Sequence, residues 1–286
     1  MLEGWAGLEM ELPVRFTIVT PVLNGMPWLP EAVDSVAAQR EVGAFELEHI
    51  VLDGGSTDGS REWLKSHEDL GFRLWLEPDD GQTAALRTGF DRARGELFGW
   101  LNSDDILEPG SLETVHNVFV SGPDVVMVSG ACLFIDTDGK VIGAMATPPV
   151  PTFDGLVKTR LNPPQPSTFF RASAYRASGG LDESFNLAMD VDLWLKLAGQ
   201  GRYVVLPDRV LARYRVHPQA KSERLAVASA REDLRARRRH GMPWRSQAGV
   251  ELLRKAYLGP IFGRVPRAIG RSIRGAVRRV VIGPRR

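Results

Sequence analysis

The feature that most constrains the fold is an alternation of short apolar runs with helical periodicity. Phe16–Thr20 is a β-branched run that ends at Pro21, and apolar residues then recur at helical spacing. Further strands are predicted at Phe45–Leu52, Phe72–Glu77 and Leu97–Leu101, with helices at Arg61–His67 and Gln82–Arg94 between them. Strands and helices that alternate at this length predict an α/β fold with a doubly wound, mostly parallel sheet.

The second half of the chain has shorter and less regular elements. A helix is predicted from Pro109 to Ser121, and a Pro-rich loop covers Thr147–Pro166. Strands are predicted at 124–128, 131–135, 168–171, 203–206 and 209–216, with a hairpin turn at Thr137–Lys140 and a helix from about Asp190 to Gln200. Beyond Lys221 the pattern is helical and increasingly basic, with an interruption at 241–243.

Charge and cysteine content exclude several classes of protein. The single cysteine, Cys132, excludes an intrachain disulfide framework and a multi-cysteine zinc site, and favours a reducing, cytoplasmic compartment. Residues 231–286 hold 16 Lys and Arg against 3 Asp and Glu, whereas residues 1–230 hold 20 against 32. No apolar run is long enough to cross a bilayer, and acidic residues stand where a signal peptide carries basic ones.

Polar side chains follow three of the predicted strands, in the segments 20–24, 53–58 and 102–105. Each segment alone is also typical of turns and helix caps. Because parallel strands end at one edge of a sheet, all three together predict a ligand site there. Carboxylates at the end of a buried strand need a compensating cation, so Asp104 and Asp105 indicate Mg²⁺ or Mn²⁺ beside a diphosphate.

Six segments of the chain resemble glycosyltransferase family 2, whose members are inverting enzymes with the GT-A fold that binds nucleotide-diphospho-sugars. They are TPVLNG (20–25), VLDGGSTDGS (51–60), GQTAALRTGFDRARGELFGWLNSDD (81–105), QPSTFFR (165–171), MDVDLWLKL (189–197) and YRVHPQAKS (214–222). The resemblance implies an α/β GT-A domain over 15–222, with a nucleotide-binding half (15–110) and an acceptor half (111–222). Residues 1–14 form a leader, and residues 223–286 a helical, basic extension.

The resemblance also implies roles for residues on the donor side of the site. The nucleotide-sugar would contact Thr20, Pro21, Asn24, Asp53, Arg87, Asn102 and Ser103, with Asp53 at the base edge and Arg87 facing the diphosphate. Asp104 would hold Mg²⁺ or Mn²⁺, and His217 would reach back toward the metal. Asn102 replaces the first Asp of the family's Asp-X-Asp element. Without the family, a His before Pro at a strand end is typical of a turn.

On the acceptor side, Asp190 matches the position of the catalytic base, and Met189 stands where Glu is usual. The same Asp190 also fits a helix N-cap, and the two roles are compatible. Gln165, Ser167 and Thr168 would border the acceptor. The implied reaction is a single displacement, in which an acceptor hydroxyl deprotonated by Asp190 attacks the anomeric carbon and inverts it.

The basic C-terminal segment has the pattern of an amphipathic helix. From Ile261 to Ile282, apolar side chains and arginines fall on opposite faces at 100° per residue. Such a helix docks on an anionic membrane, which suits a lipid-linked or glycan acceptor and a peripheral location on the inner face of the plasma membrane. Packing of this helix on the catalytic body is the alternative. Nucleic-acid binding is disfavoured because interleaved aromatics are absent.

Three other functions are alternatives to sugar transfer. A sugar-phosphate nucleotidyltransferase needs a Gly-rich basic loop after its first strand, where this chain has Pro21–Gly25. A non-catalytic nucleotide-sugar-binding protein of the same fold fits the departures at Asn102 and Met189. An NAD-dependent dehydrogenase is disfavoured because no Gly-X-Gly-X-X-Gly follows the first strand.

Overall fold

The chain forms one mixed sheet flanked by helices. A computed structural model describes residues 15–41, 45–145, 151–159, 161–221 and 225–258. The strands in these ranges are β1 (Arg15–Val22), β2 (Glu46–Asp53), β3 (Arg73–Trp75), β4 (Leu97–Trp100), β5 (Ile106–Leu107), β6 (Val125–Ile135), β7 (Val141–Met145), β8 (Thr168–Arg171) and β9 (Arg202–Arg215). The helices are α1 (Leu29–Ala37), α2 (Ser60–Ser66), α3 (Gln82–Arg92), α4 (Ser111–Ser121), α5 (Phe153–Lys158), α6 (Ala172–Ala177), α7 (Met189–Ala198), α8 (Ala226–Arg239) and α9 (Gln247–Leu253).

The strand order confirms the predicted α/β class with a mostly parallel sheet. The order is β3-β2-β1-β4-β8-β6-β9-β5, and β7 pairs with β6. Strands β3, β2, β1 and β4 are parallel neighbours, β6 and β9 are parallel, and β8 runs antiparallel between β4 and β6. Val22 pairs with Asp53, and Val19 pairs with Trp100. The polar loops after β1, β2 and β4 therefore leave the same edge of the sheet.

The apolar core joins the sheet to helices from both ends of the chain. Phe90 of α3 stacks on Phe98 of β4, and Trp100 stacks on Trp194 of α7 with ring centroids 5.4 Å apart. Leu234 of α8 is buried in the same cluster. The described part of 223–286 contains α8 and α9, and α8 packs on the sheet core, whereas the extension as a separate unit stays a prediction. The division of the domain into two halves stays a prediction.

The predicted basic helix at 261–282 lies outside the described residues, as does the leader, 1–14. In the described part of the chain, no helix is long and apolar enough to span a membrane.

Several boundaries differ from the sequence prediction. The two strands predicted at 124–128 and 131–135 form one strand, β6. Gly130, in its middle, lies where a Cβ would clash with Leu211. Strands 203–206 and 209–216 likewise form β9, in which the pairing register passes over 207–209. The predicted loop 147–166 contains α5, which begins with a bond from the Gly155 N–H to the Thr152 hydroxyl. Helix α6 and strand β5 were not predicted.

Candidate functional site

The loops after β1 and β2 are locked together by side-chain to backbone hydrogen bonds. Asn24 has a left-handed backbone (φ 55°), donates its N–H to Ser56 Oγ (2.8 Å) and accepts the Thr57 N–H at Oδ1 (2.9 Å). The Met26 N–H donates to Asp58 Oδ2 (2.8 Å). Asn tolerates this backbone conformation better than other residues with a Cβ. The segments 20–25 and 53–58, both predicted to bind nucleotide, therefore form one rigid edge.

Asp53 lies at the base of this edge as a buried carboxylate. It accepts the Arg61 Nε–H (2.7 Å) and the Ser56 N–H (3.1 Å). Burial by itself raises the pKa of Asp53, but these bonds and the Arg61 charge outweigh it and lower the pKa. The side chain is therefore ionised and fixed.

Thr20 was predicted to contact the nucleotide-sugar, and its hydroxyl lies inside the fold. Its Oγ1 lies 2.9 Å from His49 Nε2, and both side chains are buried inside the sheet. Burial lowers the pKa of His49 to about 3, so the ring is neutral. Because Thr20 lies within β1 rather than after it, its hydroxyl points into the fold. Pro21, the next residue, is half-buried.

A third loop, after β3, was missed by the motif argument. Asp79 accepts the Gly81 N–H at 2.8 Å, and a Cβ on Gly54 would lie 2.4 Å from Asp79 Oδ2. This close approach is possible only with glycine at position 54. The sequence signal was the Asp-Asp-Gly turn just before α3.

Arg87, which was predicted to face the diphosphate, contacts the loop at 181–183. It donates to the Leu181 carbonyl (3.1 Å) and lies 3.5 Å from a Glu183 carboxylate oxygen. Arg87 follows the start of α3 by more than one turn, so its side chain reaches the 181–183 loop instead. The cation beside the first turn of α3 is Lys221, whose Nζ donates to Gln82 Oε1 (3.3 Å).

Asn102 uses its amide in both directions. Its Oδ1 accepts the Gln82 amide (2.8 Å), and its Nδ2 donates to Gln165 Oε1 (2.9 Å); Gln165 also donates to the Trp100 carbonyl (2.8 Å). A carboxylate at 102 accepts only, so it cannot donate to Gln165. This contact gives a physical reason for Asn where the family has Asp. Next to Asn102, Ser103 packs against the loop after β1, since a Cβ on Gly25 would lie 3.0 Å from its side chain.

Two of the predicted acceptor residues are buried. Ser167 Oγ donates to the Gly130 carbonyl (2.9 Å), and Thr168 Oγ1 donates to the Pro164 carbonyl (2.6 Å). Their side chains are 0% and 1% exposed. These hydroxyls therefore hold the loop together, and a role of both residues at the acceptor stays a prediction. Gln165 remains next to Asn102.

Asp104 and His217 meet although they are far apart in the sequence. Asp104 Oδ2 lies 2.9 Å from His217 Nε2, and the Trp28 ring packs on the imidazole with centroids 4.5 Å apart. The bond to Asp104 is the main cause that raises the pKa of His217, while burial opposes it. The predicted convergence of these two side chains is therefore present in the structure; its use in binding metal stays a prediction.

The chemistry of this pair fits part of a divalent metal site. Asp104 offers a partly exposed carboxylate, and His217 offers an imidazole nitrogen. Across the described ranges, no group of three or more His, Cys, Asp and Glu side chains could hold a metal ion. The protein would thus supply two ligands, and substrate phosphate oxygens and water the others. A nitrogen ligand is less suited to Mg²⁺ than an all-oxygen set, which favours Mn²⁺.

Asp105 and Arg215 are buried residues that hold the segment of Asp104 in place. No role was predicted for Arg215. Asp105 is buried and accepts the Arg215 N–H (3.0 Å) and the Asn102 amide (3.2 Å). The Arg215 side chain, 1% exposed, donates to the carbonyls of Asp104 and Asp136 and pairs with Glu31. Burial and the neighbouring Asp104 charge raise the pKa of Asp105 well above its usual range. Asp105 is therefore a structural residue, in contrast to Asp104.

Asp190 is the second residue of α7, and Ala188 holds the N-cap position. Its Oδ1 accepts the Val191 N–H at 2.8 Å. Burial raises the pKa of Asp190 to about 6, and the nearby Asp233 charge adds to this, while the Val191 bond and Arg237 oppose it. A carboxyl group with such a pKa is suited to exchange a proton near neutral pH.

The first turn of α3 connects the two sides of the site. Gln82 donates to Asn102, two residues before Asp104, and Thr83 donates to the Phe185 carbonyl (2.7 Å), five residues before Asp190. Trp194, one helical turn after Asp190, stacks on Trp100 at the end of β4. The loop after β4 and the start of α7 are thereby held against one common element.

Comparisons with known proteins agree with this architecture. The chain is 31% identical over 194 residues to an uncharacterized glycosyltransferase of Mycobacterium tuberculosis, covering 64% of this chain and 68% of that protein. Staphylococcus aureus TarS (1–349), solved with UDP-GlcNAc, has a similar fold with a TM-score of 0.60 at 16% identity, covering 88% of this chain and 74% of TarS.

A second solved structure has a similar fold. It is the mannosyltransferase PcManGT from Pyrobaculum calidifontis, in complex with GDP-Man and Mn²⁺, with a TM-score of 0.58 at 21% identity. The match covers 90% of this chain and 78% of that one. The family model "Glycosyl transferase family 2" matches residues 17–173. The chain therefore belongs to glycosyl transferase family 2, has the fold of GT-A glycosyltransferases and is a glycosyltransferase enzyme.

Proposed function

We propose that this enzyme transfers a sugar from a nucleoside-diphosphate donor to an acceptor hydroxyl with inversion at the anomeric carbon. Family membership supports transfer from a nucleotide-sugar. The observation that carries the proposal is the linkage through α3: Gln82 contacts the segment of Asp104, and Thr83 contacts the loop that leads to Asp190. A metal-binding carboxylate and a base are both needed in one cleft, and this linkage supports that arrangement.

On the donor side, the nucleotide would lie against the locked loops 20–25 and 53–58. Asp53 is ionised and fixed, so it can accept a hydrogen bond from the base edge. Asn24 and the backbone of Pro21 border the same edge, and Lys221 takes the place proposed for Arg87 as the cation near the diphosphate. The nucleotides in the neighbours' structures are UDP-GlcNAc and GDP-Man, so both bases are candidates.

Asp104 and His217 would hold the divalent metal, with Asn102 and Ser103 beside it. A bound Mg²⁺ or Mn²⁺ supplies charge stabilisation to the departing diphosphate. Asp105 and Arg215 keep the Asp104 backbone in place during the reaction, since both are buried and fully bonded.

On the acceptor side, Asp190 would act as general base. An acceptor hydroxyl gives its proton to the Asp190 carboxylate, while its oxygen attacks the anomeric carbon from the face opposite the diphosphate. The bond from the anomeric carbon to the diphosphate oxygen breaks in the same step, so the configuration inverts. Gln165, held by Asn102 and the Trp100 carbonyl, is a predicted acceptor residue.

The acceptor itself is proposed to be a glycan or a lipid-linked glycan. The support is the basic amphipathic pattern of 261–282, which suits a peripheral enzyme on the anionic inner face of the plasma membrane. Liposome flotation tests this membrane docking. The full chain is compared with a version that ends at residue 260, on anionic and on neutral liposomes. Binding that needs both the anionic lipid and the segment supports docking, whereas equal flotation of the two chains contradicts it.

A panel of nucleotide-sugars tests the proposed activity. Release of nucleoside diphosphate is measured with each sugar, with and without Mn²⁺, in the wild type and in Asp190→Asn. We expect one donor to be turned over only with metal, and only by the wild type. Binding of a donor with no release of nucleoside diphosphate under any condition would contradict the proposed transfer from that donor. The anomeric configuration of the product tests inversion directly.

A further inference from the structure

Glu232 of α8 binds the backbone that leads into α7. Its Oε2 accepts three successive N–H groups, those of Asn186 (2.9 Å), Leu187 (2.8 Å) and Ala188 (3.2 Å). Ala188 is the N-cap of α7 and has no side chain that can cap the helix. A carboxylate near a helix N-terminus also interacts favourably with the helix dipole. Glu232 thus supplies, from 44 residues away along the chain, the acceptor that a capping side chain provides locally.

Two arginines of α8 hold the rest of the same loop. Arg235 donates to the Ser184 carbonyl, and its guanidinium lies 4.2 Å from the centroid of the Phe185 ring. Arg239 pairs with Asp182 and also lies over Phe185, at 5.0 Å. The loop before Asp190 is therefore attached to α8 at several successive positions.

Helix α8 also carries a buried ion pair, Asp233 with Arg237. Arg237 is 0% exposed and bonds to Asp233, to the Leu156 carbonyl and to Asn162. The charges of Asp233 and Arg237 act on the Asp190 carboxyl in opposite directions. Asp192, two residues further along α7, is buried beside Lys196 (2.7 Å) and His240 (3.3 Å).

We propose that α8 is the positioning element of the catalytic base: Glu232 fixes the start of α7, and Arg235 and Arg239 hold the loop that leads to it. This inference rests on the proposed function of Asp190. Helix α8 lies outside the part of the chain that the family model matches, 17–173. The base would thus depend on a segment that carries no family motif of its own. These residues are positioning residues, because they act through Asp190 and the backbone before it.

Glu232→Ala and Glu232→Gln test the positioning role of Glu232 in the full-length enzyme. We expect Glu232→Ala to lower kcat about 10- to 100-fold, because a small displacement of a catalytic group is costly, while donor affinity stays within about twofold. Amide hydrogen exchange in a peptide covering 181–192 should rise. Glu232→Gln retains an acceptor oxygen and should recover part of the activity.

Glu113→Ala on α4 is the matched control, since it removes an exposed helical carboxylate elsewhere. It should change neither kcat nor exchange in 181–192. Wild-type kcat in a folded Glu232→Ala enzyme, or a loss of donor affinity equal to the loss of kcat, would overturn the positioning role. Hydrogen exchange reports on the loop whether or not transfer occurs.

Asp190→Asn distinguishes a failure of this inference from a failure of the proposed function. If Asp190→Asn turns over as the wild type does, the proposed function itself fails. If Asp190→Asn is inactive but a folded Glu232→Ala enzyme keeps the wild-type kcat, only the positioning role fails.

Discussion

The part of the chain that matches the family, residues 17–173, differs in construction from the described part that follows it, 174–258. In the first part, a predicted site residue is fixed by the neighbouring loop: Asn24, after β1, bonds to Ser56 and Thr57, after β2, at the same sheet edge. In the second part, support comes from distant helices, as when Glu232 binds the backbone of 186–188. The loops of the first part are therefore held by contacts within one sheet edge, whereas the approach to Asp190 is held by a helix that none of the six family segments includes.

Replacement of the base should have the largest effect on this two-part design. In Asp190→Asn the acceptor hydroxyl has no group to take its proton, so kcat should fall about 10²–10⁴-fold. Donor affinity, which depends on the loops of the first part and on the Asp104–His217 pair, should not change. Steady-state transfer and calorimetric donor binding measure the two separately. Unimpaired turnover would remove the base assignment, and a parallel loss of donor binding would break the separation between the two parts.

Removal of Asp104 should give the opposite result. Asp104→Ala deletes the proposed metal carboxylate, so donor affinity in the presence of Mn²⁺ should fall about 100-fold, from the loss of several kcal/mol of charge stabilisation. Calorimetry with and without Mn²⁺ checks this. The exposed Asp69, on a surface turn, offers a control in Asp69→Ala. An equal response to Mn²⁺ in wild type and Asp104→Ala would place the metal elsewhere.

Replacement of Asp105, the next residue, should lower the free energy of unfolding and hardly change metal binding. Asp105→Ala leaves the Arg215 N–H and the Asn102 amide without their acceptors. Unsatisfied buried groups of this kind cost about 2 kcal/mol in the free energy of unfolding. Denaturant unfolding of Asp104→Ala and Asp105→Ala side by side compares the two carboxylates. Equal destabilisation by both variants would contradict the distinction between a ligand and a structural residue.

The pH dependence of the wild type provides a smaller, graded test of the base. Burial raises the pKa of Asp190 to about 6, so the carboxylate is ionised above this pH and protonated below it. Because only the ionised form accepts a proton, kcat should fall about tenfold per unit below pH 6. Donor binding recorded over the same range is the control. A kcat that stays flat to pH 5 would contradict this role.

The smallest effect is expected at the buried acceptor-loop hydroxyls. Ser167→Ala removes the bond to the Gly130 carbonyl and should cost about 1 kcal/mol of stability, with kcat within twofold of the wild type. Thermal melting and acceptor KM measure both. A large rise in acceptor KM without a change in melting temperature would instead support the predicted acceptor role.

The sequence predicted the elements whose pattern is strictly local. Strands β1, β2 and β4 and helices α3 and α4 lie within a few residues of their predicted bounds, because burial and helical periodicity were regular there. The hairpin turn at 137–140 is also present, with Gly139 at φ 81°. Strand β6 is continuous through Gly130, where a Cβ would clash with Leu211, although two separate strands are predicted there. Helix α5 was not predicted because it lies in a Pro-rich segment, which is typical of a loop.

The candidate site was predictable where the family resemblance brings together residues far apart in the chain. Asp104 and His217 are paired by that resemblance, and they lie 2.9 Å apart. The partners of the Thr20, Ser167 and Thr168 hydroxyls could not be predicted, because a hydroxyl can satisfy a buried carbonyl or ring nitrogen as readily as a ligand, and only coordinates distinguish the two. Arg215 had no motif role in the prediction, since its partners come from three separate segments.

A crystal structure with Mn²⁺ and the nucleoside diphosphate selected by the donor panel is the most direct test. It should show the ion within about 2.3 Å of an Asp104 oxygen, with His217 beside it and the Asp190 carboxylate facing the open side of the terminal phosphate. An ion bound by other side chains, or Asp190 separated from the diphosphate by the body of the protein, would contradict the proposed cleft.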